Sequence, residues 1–248
     1  MSTIYILWLR QIKRYIRSKS RMIGSLGQPI LFLVALGFGF GPIFKKAGGG
    51  NYMQFLAPGI IAQGILFTAV FSGIEMIWDR QFGFLKETLV APVSRFNIMF
   101  GRTLGGATIA MTQGVIILFL SMLVGFRPES FLAIILSILV MFLLALLFTA
   151  IGTAIASTLD DFHGFQMIMN FLVMPLFFLS GALFPLNNLP GFIDIISHLN
   201  PLTYGVDGLR ATLINTSHFG LGTDFLVLTS LSLIVLAIGS YLFSKIQV

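Results

Sequence analysis

The residue types that catalysis and metal binding need are nearly missing from this chain. Cysteine is absent, and the three histidines, His163, His198 and His218, are scattered without ligand spacing, so neither a disulfide framework nor a metal site is expected. No G-x-x-x-x-G-K-[ST] run occurs and no glycine precedes a lysine, so the chain has no P-loop to cradle nucleotide phosphates. The run GFGFG at 37–41 is glycine-rich, but it sits in an apolar stretch with no strand before it and does not read as a dinucleotide motif. A serine nucleophile needs a histidine at its own depth. Ser180 has none, since His163 falls on one side of the apolar run and His198 on the other. The expectation is a chain with no catalytic residue, no metal and no cofactor of its own.

The polar residues inside the apolar runs point to packing or solute contact instead. Ion-coupled carriers place acids or bases at mid-membrane. Here the spans show Glu75 and Arg102, both near the cytosolic end, where they are expected to snorkel to water or to pair with each other. The deeper polar residues are amides, Gln63, Gln113, Gln166 and Asn170, suited to hydrogen bonds between helices or to a neutral ligand. Energy for any transport must therefore arrive from outside the membrane.

These residues need a scaffold, and composition states which kind. Of 248 residues, 56% are hydrophobic and 10% charged. That leaves too little polar surface to cover a water-soluble fold, given the quarter or so of charged residues usual in one. The expected architecture is an all-α membrane protein with six spans, near 22–44, 55–78, 98–125, 131–158, 164–184 and 223–244. With the amino terminus inside, eleven Lys and Arg fall on the cytosolic side against four (Lys45, Lys46, Arg127, Arg210) outside. The positive-inside rule then places both termini in the cytoplasm of a multi-pass protein of the cell (inner) membrane. The net charge of +6 is concentrated at the amino-terminal end, beside a membrane, so anionic lipid rather than nucleic acid is the expected partner. No cleavable signal is seen.

Three stretches fall outside the spans. Residues 4–21 collect Arg10, Lys13, Arg14, Arg17 and Arg21 on one arc opposite Trp8, Ile12 and Tyr15, as an interfacial helix does, and as a basic topogenic tail also would. The island WDRQFGFLKETLVAPVSR at 78–95 places Phe82, Leu85 and Leu89 at i, i+3 and i+7, with Lys86 and Glu87 pointing away and Pro92 ending the turn. It suits docking onto another protein, and a helix resting on headgroups remains an alternative. The stretch at 180–214 is cut by Pro185, Pro190 and Pro201 into two pieces too short to cross. Phe192, Ile195, Ile196 and Leu199 form an apolar face on one, and Val206, Leu209 and Leu213 on the other, with Asp207 and Arg210 spaced to pair. Such a pair dips into the outer leaflet or lies along it. Small residues at Gly37 and Gly41, Gly101 and Gly105, and Gly152 and Ala156 are set for close helix packing, and Pro29 and Pro175 for bends. Asp160 and Asp161 read as a solvated turn.

FLAPGIIAQ (55–63), DRQFGFLKETLVAPVSR (79–95) and LSGALFPLNNLPGFIDIISHLNPLTYGVDGLR (179–210) together resemble the type-2 ABC exporter permeases, in particular the daunorubicin-resistance and nodulation-factor export branch. The resemblance covers nearly the whole chain. It implies one permease domain over 1–248: an interfacial helix (1–21), spans 1–2 (22–78), a coupling loop (79–97), spans 3–5 (98–184), an extracytoplasmic re-entrant region (185–222) and the last span (223–248). It also implies a second permease copy, usually identical, and two ATPase subunits that hold the ATP and Mg. Carried over by position, Arg80, Phe84, Leu85, Lys86, Glu87, Leu89 and Pro92 form the coupling element. Gln81 departs from the acid common in relatives. The implied activity is ATP-driven export of an amphipathic drug, lipid or lipid-linked molecule, with Phe67, Phe71, Asn170, Met174 and Phe178 as candidate pathway residues. Polysaccharide or lipo-oligosaccharide export on the same scaffold is the alternative, and an ATP-independent channel or carrier a further one.

Overall fold

The computed structural model describes residues 2–46, 50–90, 92–186 and 190–245, without the side chains of Arg21 and Leu89. All regular structure among them is helical: α1 (Thr3–Arg17), α2 (Lys19–Lys46), α3 (Tyr52–Phe71), α4 (Ile74–Gln81), α5 (Phe84–Val90), α6 (Arg95–Leu123), α7 (Phe131–Thr158), α8 (Phe162–Phe178), α9 (Gly191–Leu199), α10 (Pro201–Ile214) and α11 (Leu221–Ser244). Among the described residues, five stretches are long and apolar enough to cross a membrane: 22–46, 52–81 (α3 with α4), 95–123, 131–158 and 221–244.

The fifth expected span is shorter than its sequence implies. Helix α8 ends at Phe178, 17 residues long, and 179–184 leave the helix in turns and bends. Pro175 stands in the last turn, and Gly181 takes a left-handed φ of 74° that no helix continues. The second span is also divided, at Ser72 and Gly73 between α3 and α4.

Helix starts follow the polar residue that precedes each apolar run. Ser94 accepts a hydrogen bond from the Asn97 amide (3.2 Å), Ser130 from Ala133 (3.1 Å) and Asp161 from Gly164 (2.6 Å). Each such cap is worth about 1 kcal/mol. Asp161, exposed in the turn, thus also caps α8.

The core is built on α3, buried nearly all round, with α6 and α7 against it. Close approach depends on glycine at two contacts. A Cβ on Gly152 of α7 would stand 2.3 Å from the Val70 carbonyl, so α3 and α7 meet backbone to backbone. A Cβ on Gly105 of α6 would stand 2.6 Å from Cβ of Gln11, so the small stripe of α6 seats α1. Gly41, expected to pack in the same way, faces open space.

The two pieces before the last span form as expected, with opposite fates. Helix α10, capped by Asn200 and opened by Pro201, buries Val206, Leu209 and Leu213 among the long helices. Helix α9 turns Phe192, Ile195 and Leu199 outward.

Candidate coupling and substrate sites

The amino-terminal helix is amphipathic as expected, but its cations do not all face outward. Leu7 and Tyr15 of α1 are buried, and Trp8 Nε1 donates to Thr108 Oγ1 at 3.0 Å. Arg10 Nη2 lies 2.9 Å from Asp79 Oδ1, and Arg14 Nη1 lies 3.6 Å from the same oxygen and 3.8 Å from Glu75 Oε2. Lys13 and Arg17 stay exposed.

The carboxylates of α4 complete this cluster from below. Arg102 Nη2 of α6 stands 2.7 Å from Asp79 Oδ2, with both side chains buried. The expectation that Glu75 and Arg102 snorkel to water or pair with each other is corrected: both are 3% exposed, and Arg102 takes Asp79 as its partner. Removing charges from water is costly, so such groups persist inside only when paired. Three guanidinium groups and two carboxylates therefore join α1, α4 and α6. Asp79 is the residue that sequence reasoning missed as their centre. Its signal was its position, a lone acid one turn after Glu75.

From α4 the chain turns at Phe82 and Gly83, where φ is 82°, into α5. That turn breaks the expected single face. Phe82 lies outside the helix and is exposed, Leu85 is wholly buried, and the side chain of Leu89 lies outside the described residues. Phe84, Lys86, Glu87 and Pro92 are exposed. Arg10 sits 5.4 Å from the centre of the Phe84 ring. Arg80 pairs with Asp160 and donates to the Leu159 carbonyl (3.3 Å), and Gln81 Nε2 donates to the Asp160 carbonyl (3.4 Å). The turn at 159–161, read from sequence as merely solvated, is thus bound to the end of α4.

A cavity of about 400 Å³ lies above this cluster, between α1, α2, α3, α4 and α8. Its wall is largely aromatic: Phe67 and Phe71 of α3 stack at 6.2 Å, and Trp78 and Phe162 stack nearly parallel, also at 6.2 Å. Polar lining comes from amides and hydroxyls such as Gln63, Gln28 and Thr68, and among the described residues Glu75 brings a charge to the wall. Of the five candidate pathway residues, Phe67 and Phe71 line this space. Asn170, Met174 and Phe178 do not; they share the exposed face of α8, whose buried stripe is Phe165, Met169, Val173 and Phe177.

On the opposite side of the molecule, Asp207 and Arg210 do not pair as their spacing implied. Asp207 accepts from the amides of His218 (2.8 Å) and Phe219 (2.7 Å) and from the Ser217 hydroxyl (3.0 Å). Arg210 Nη2 donates to the carbonyls of Gly181 (2.7 Å), Phe55 (3.3 Å) and Ala182 (3.4 Å), its guanidinium over the Phe55 ring at 3.9 Å. Each residue holds a different loop. A further acid belongs with the buried charges: Asp224, in the first turn of α11, is fully buried, and neither of its oxygens has a hydrogen-bond partner among the described residues.

Residues 2–214 match the ABC-2 type transporter family. The chain is 32% identical to the transport permease ycf38 of Cyanophora paradoxa over 98% of this chain and 88% of that protein. It is 28% identical to the inner membrane transport permease YadH of Escherichia coli (90% and 87%) and 27% identical to nodulation protein J of Rhizobium leguminosarum (78% and 74%). The chain, helical in its regular structure and with five membrane-length apolar stretches among the described residues, is matched over most of its length and belongs to the ABC-2 type transporter family.

Proposed function

We propose that the chain is the transmembrane permease subunit of an ATP-driven exporter, working as a pair of permeases with two ATP-binding cassette subunits. Its cargo is an amphipathic molecule moved out of the cytoplasm. The observation that carries this reading is the path from α5 inward. An exposed helix with Phe84, Lys86 and Glu87 on its surface continues, through α4, into a buried ion-pair cluster shared with α1 and α6. A chain without a nucleotide-binding motif needs such a handle to receive work.

In this reading α5 is the coupling helix and ATP with Mg binds the partner ATPase. The ion cluster moves α4 and α1 as one body when the ATPases close, because separating buried charges is costly. The outward face of α8, with Asn170, Met174 and Phe178, meets the second copy, and Phe67 and Phe71 contact cargo. The α5 side is cytoplasmic, as are both termini, in line with the basic residues gathered there.

Capture tests the scheme. The tagged permease, co-expressed with a candidate ATP-binding cassette subunit, is expected to be isolated with that subunit and to move solute in proteoliposomes only with ATP. A chain that purifies alone and carries solute without ATP contradicts it.

A further inference from the structure

Helix α4 is held on two sides by contacts of unequal strength. Toward α6 and α1 it is held through a buried carboxylate, with Asp79 Oδ2 2.7 Å from Arg102 Nη2 and Asp79 Oδ1 2.9 Å from Arg10 Nη2. Toward α8 it is held by side chains that reach water. Arg80 pairs with Asp160, whose carboxylate is 82% exposed, and donates to the Leu159 carbonyl (3.3 Å), while Gln81 Nε2 donates to the Asp160 carbonyl (3.4 Å). An exposed ion pair contributes little to stability, whereas a buried pair is costly to break. Under load, therefore, α4 parts from α8 before it parts from α6.

That weaker joint stands at one end of the cavity. Along the second span the wall runs through Gln63, Phe67, Phe71 and Glu75 to Trp78. Facing Trp78 is Phe162, the first residue of α8, with the two rings 5° from parallel and their centroids 6.2 Å apart. Arg80 stands two positions after Trp78, and Asp160 two positions before Phe162. The ring pair and the ion pair are thus successive rungs between the same two segments. Stacked rings add only a modest attraction of their own. One turn deeper, Phe165 is buried edge-on against Phe71 at 6.4 Å, which keeps α8 attached to α3 when its head is released.

We infer that Trp78 and Phe162 form a gate at the α4 end of the cavity and that Arg80 and Asp160 latch it, so that solute reaches the cavity when the head of α8 parts from α4. The inference rests on the exporter reading only in calling that solute cargo and that side cytoplasmic; the gate itself is a property of the permease alone.

The chain has no cysteine, so Thr68→Cys places a single thiol on the cavity wall. Its reaction with iodoacetamide is timed in phosphatidylcholine nanodiscs, where both faces meet the buffer and no ATPase is present. The reagent is uncharged, so altered charges on the protein do not steer it. Arg80→Asp, which sets two carboxylates face to face, is expected to speed labelling by about fivefold, the shift that an exposed ion pair can make. Phe162→Ala is expected to speed it as well. Joining Arg80→Asp to Asp160→Arg restores opposite charges and is expected to bring the rate back to within about twofold of the parent. Unchanged labelling in either Arg80→Asp or Phe162→Ala overturns the inference. So does a charge-swapped pair as reactive as Arg80→Asp alone, or an equal acceleration of a thiol placed by Ser137→Cys at a buried position of α7. None of these outcomes bears on whether an ATPase drives the permease, which capture of that subunit decides separately.

Discussion

Arg102 and Asp79 are locked together inside the protein, Nη2 to Oδ2 at 2.7 Å, with side chains 3% and 4% exposed. They are 23 positions apart, on α6 and α4, and Asp79 also receives Arg10 from α1. Removing the carboxylate leaves Arg102 buried and uncompensated, a loss of about 3–5 kcal/mol for a pair of this kind. Asp79→Asn is expected to lower the unfolding midpoint in detergent sharply. Arg102→Met added to it is expected to recover most of the loss, because Arg10 and Arg14 reach water and Arg102 does not. Additive losses in the double variant would show that the two residues are not partners.

Gly105 is where α1 rests on α6. Gly105→Leu drives a side chain into Gln11 and is expected to cost about 1–3 kcal/mol as overpacking. Trp8, whose indole bonds Thr108 one turn away, reports the result: in a Trp78→Phe background its emission shifts to the red as α1 lifts. Unshifted emission would mean that α1 does not need this seat.

Two neighbouring residues of α5 separate folding from coupling. Leu85 is wholly buried, so Leu85→Ala is expected to destabilise by about 2–5 kcal/mol. Glu87 is exposed, so Glu87→Arg is expected to leave insertion and thermal stability unchanged while lowering ATPase stimulation and transport together. Normal transport and stimulation by Glu87→Arg would remove α5 from the coupling role.

Arg210 binds three carbonyls on two segments, Phe55 at one side and Gly181 and Ala182 at the other. Arg210→Met leaves those oxygens without their donor. Amide hydrogen exchange across 179–186 is expected to rise by an order of magnitude or more, that is, by about 1.4 kcal/mol or more of local stability. Unaltered exchange would show the clamp to be dispensable.

Much of this was legible in the chain itself. The long apolar runs, the polar caps Ser94 and Ser130 before them, and the proline-cut pieces ahead of the last span all announce themselves locally. What was not legible is partnership. Sequence marks Glu75 and Arg102 as shallow charges in a span, but α1 folds over them and turns a snorkelling position into a buried one. Gly83 did signal the break that removes Phe82 from the face of Leu85, since a glycine inside a helical pattern often marks a turn. Asp207 and Arg210 have ideal pairing spacing, yet backbone amides and carbonyls from distant loops outbid it. Asp224 was visible as an acid at the head of an apolar run; its complete burial follows from the packing of α10 against α11.

The absence of cysteine makes the decisive measurement direct. A single thiol introduced by Glu87→Cys is unique in the chain and sits on the exposed side of α5. In membranes holding both subunits, it is expected to react with an impermeant maleimide only from the cytosolic side and to cross-link to the ATPase, with the cross-link blocking transport. Labelling from the outer side, or full accessibility with no cross-link in an assembled and active complex, would contradict the claim that α5 receives the work of ATP hydrolysis.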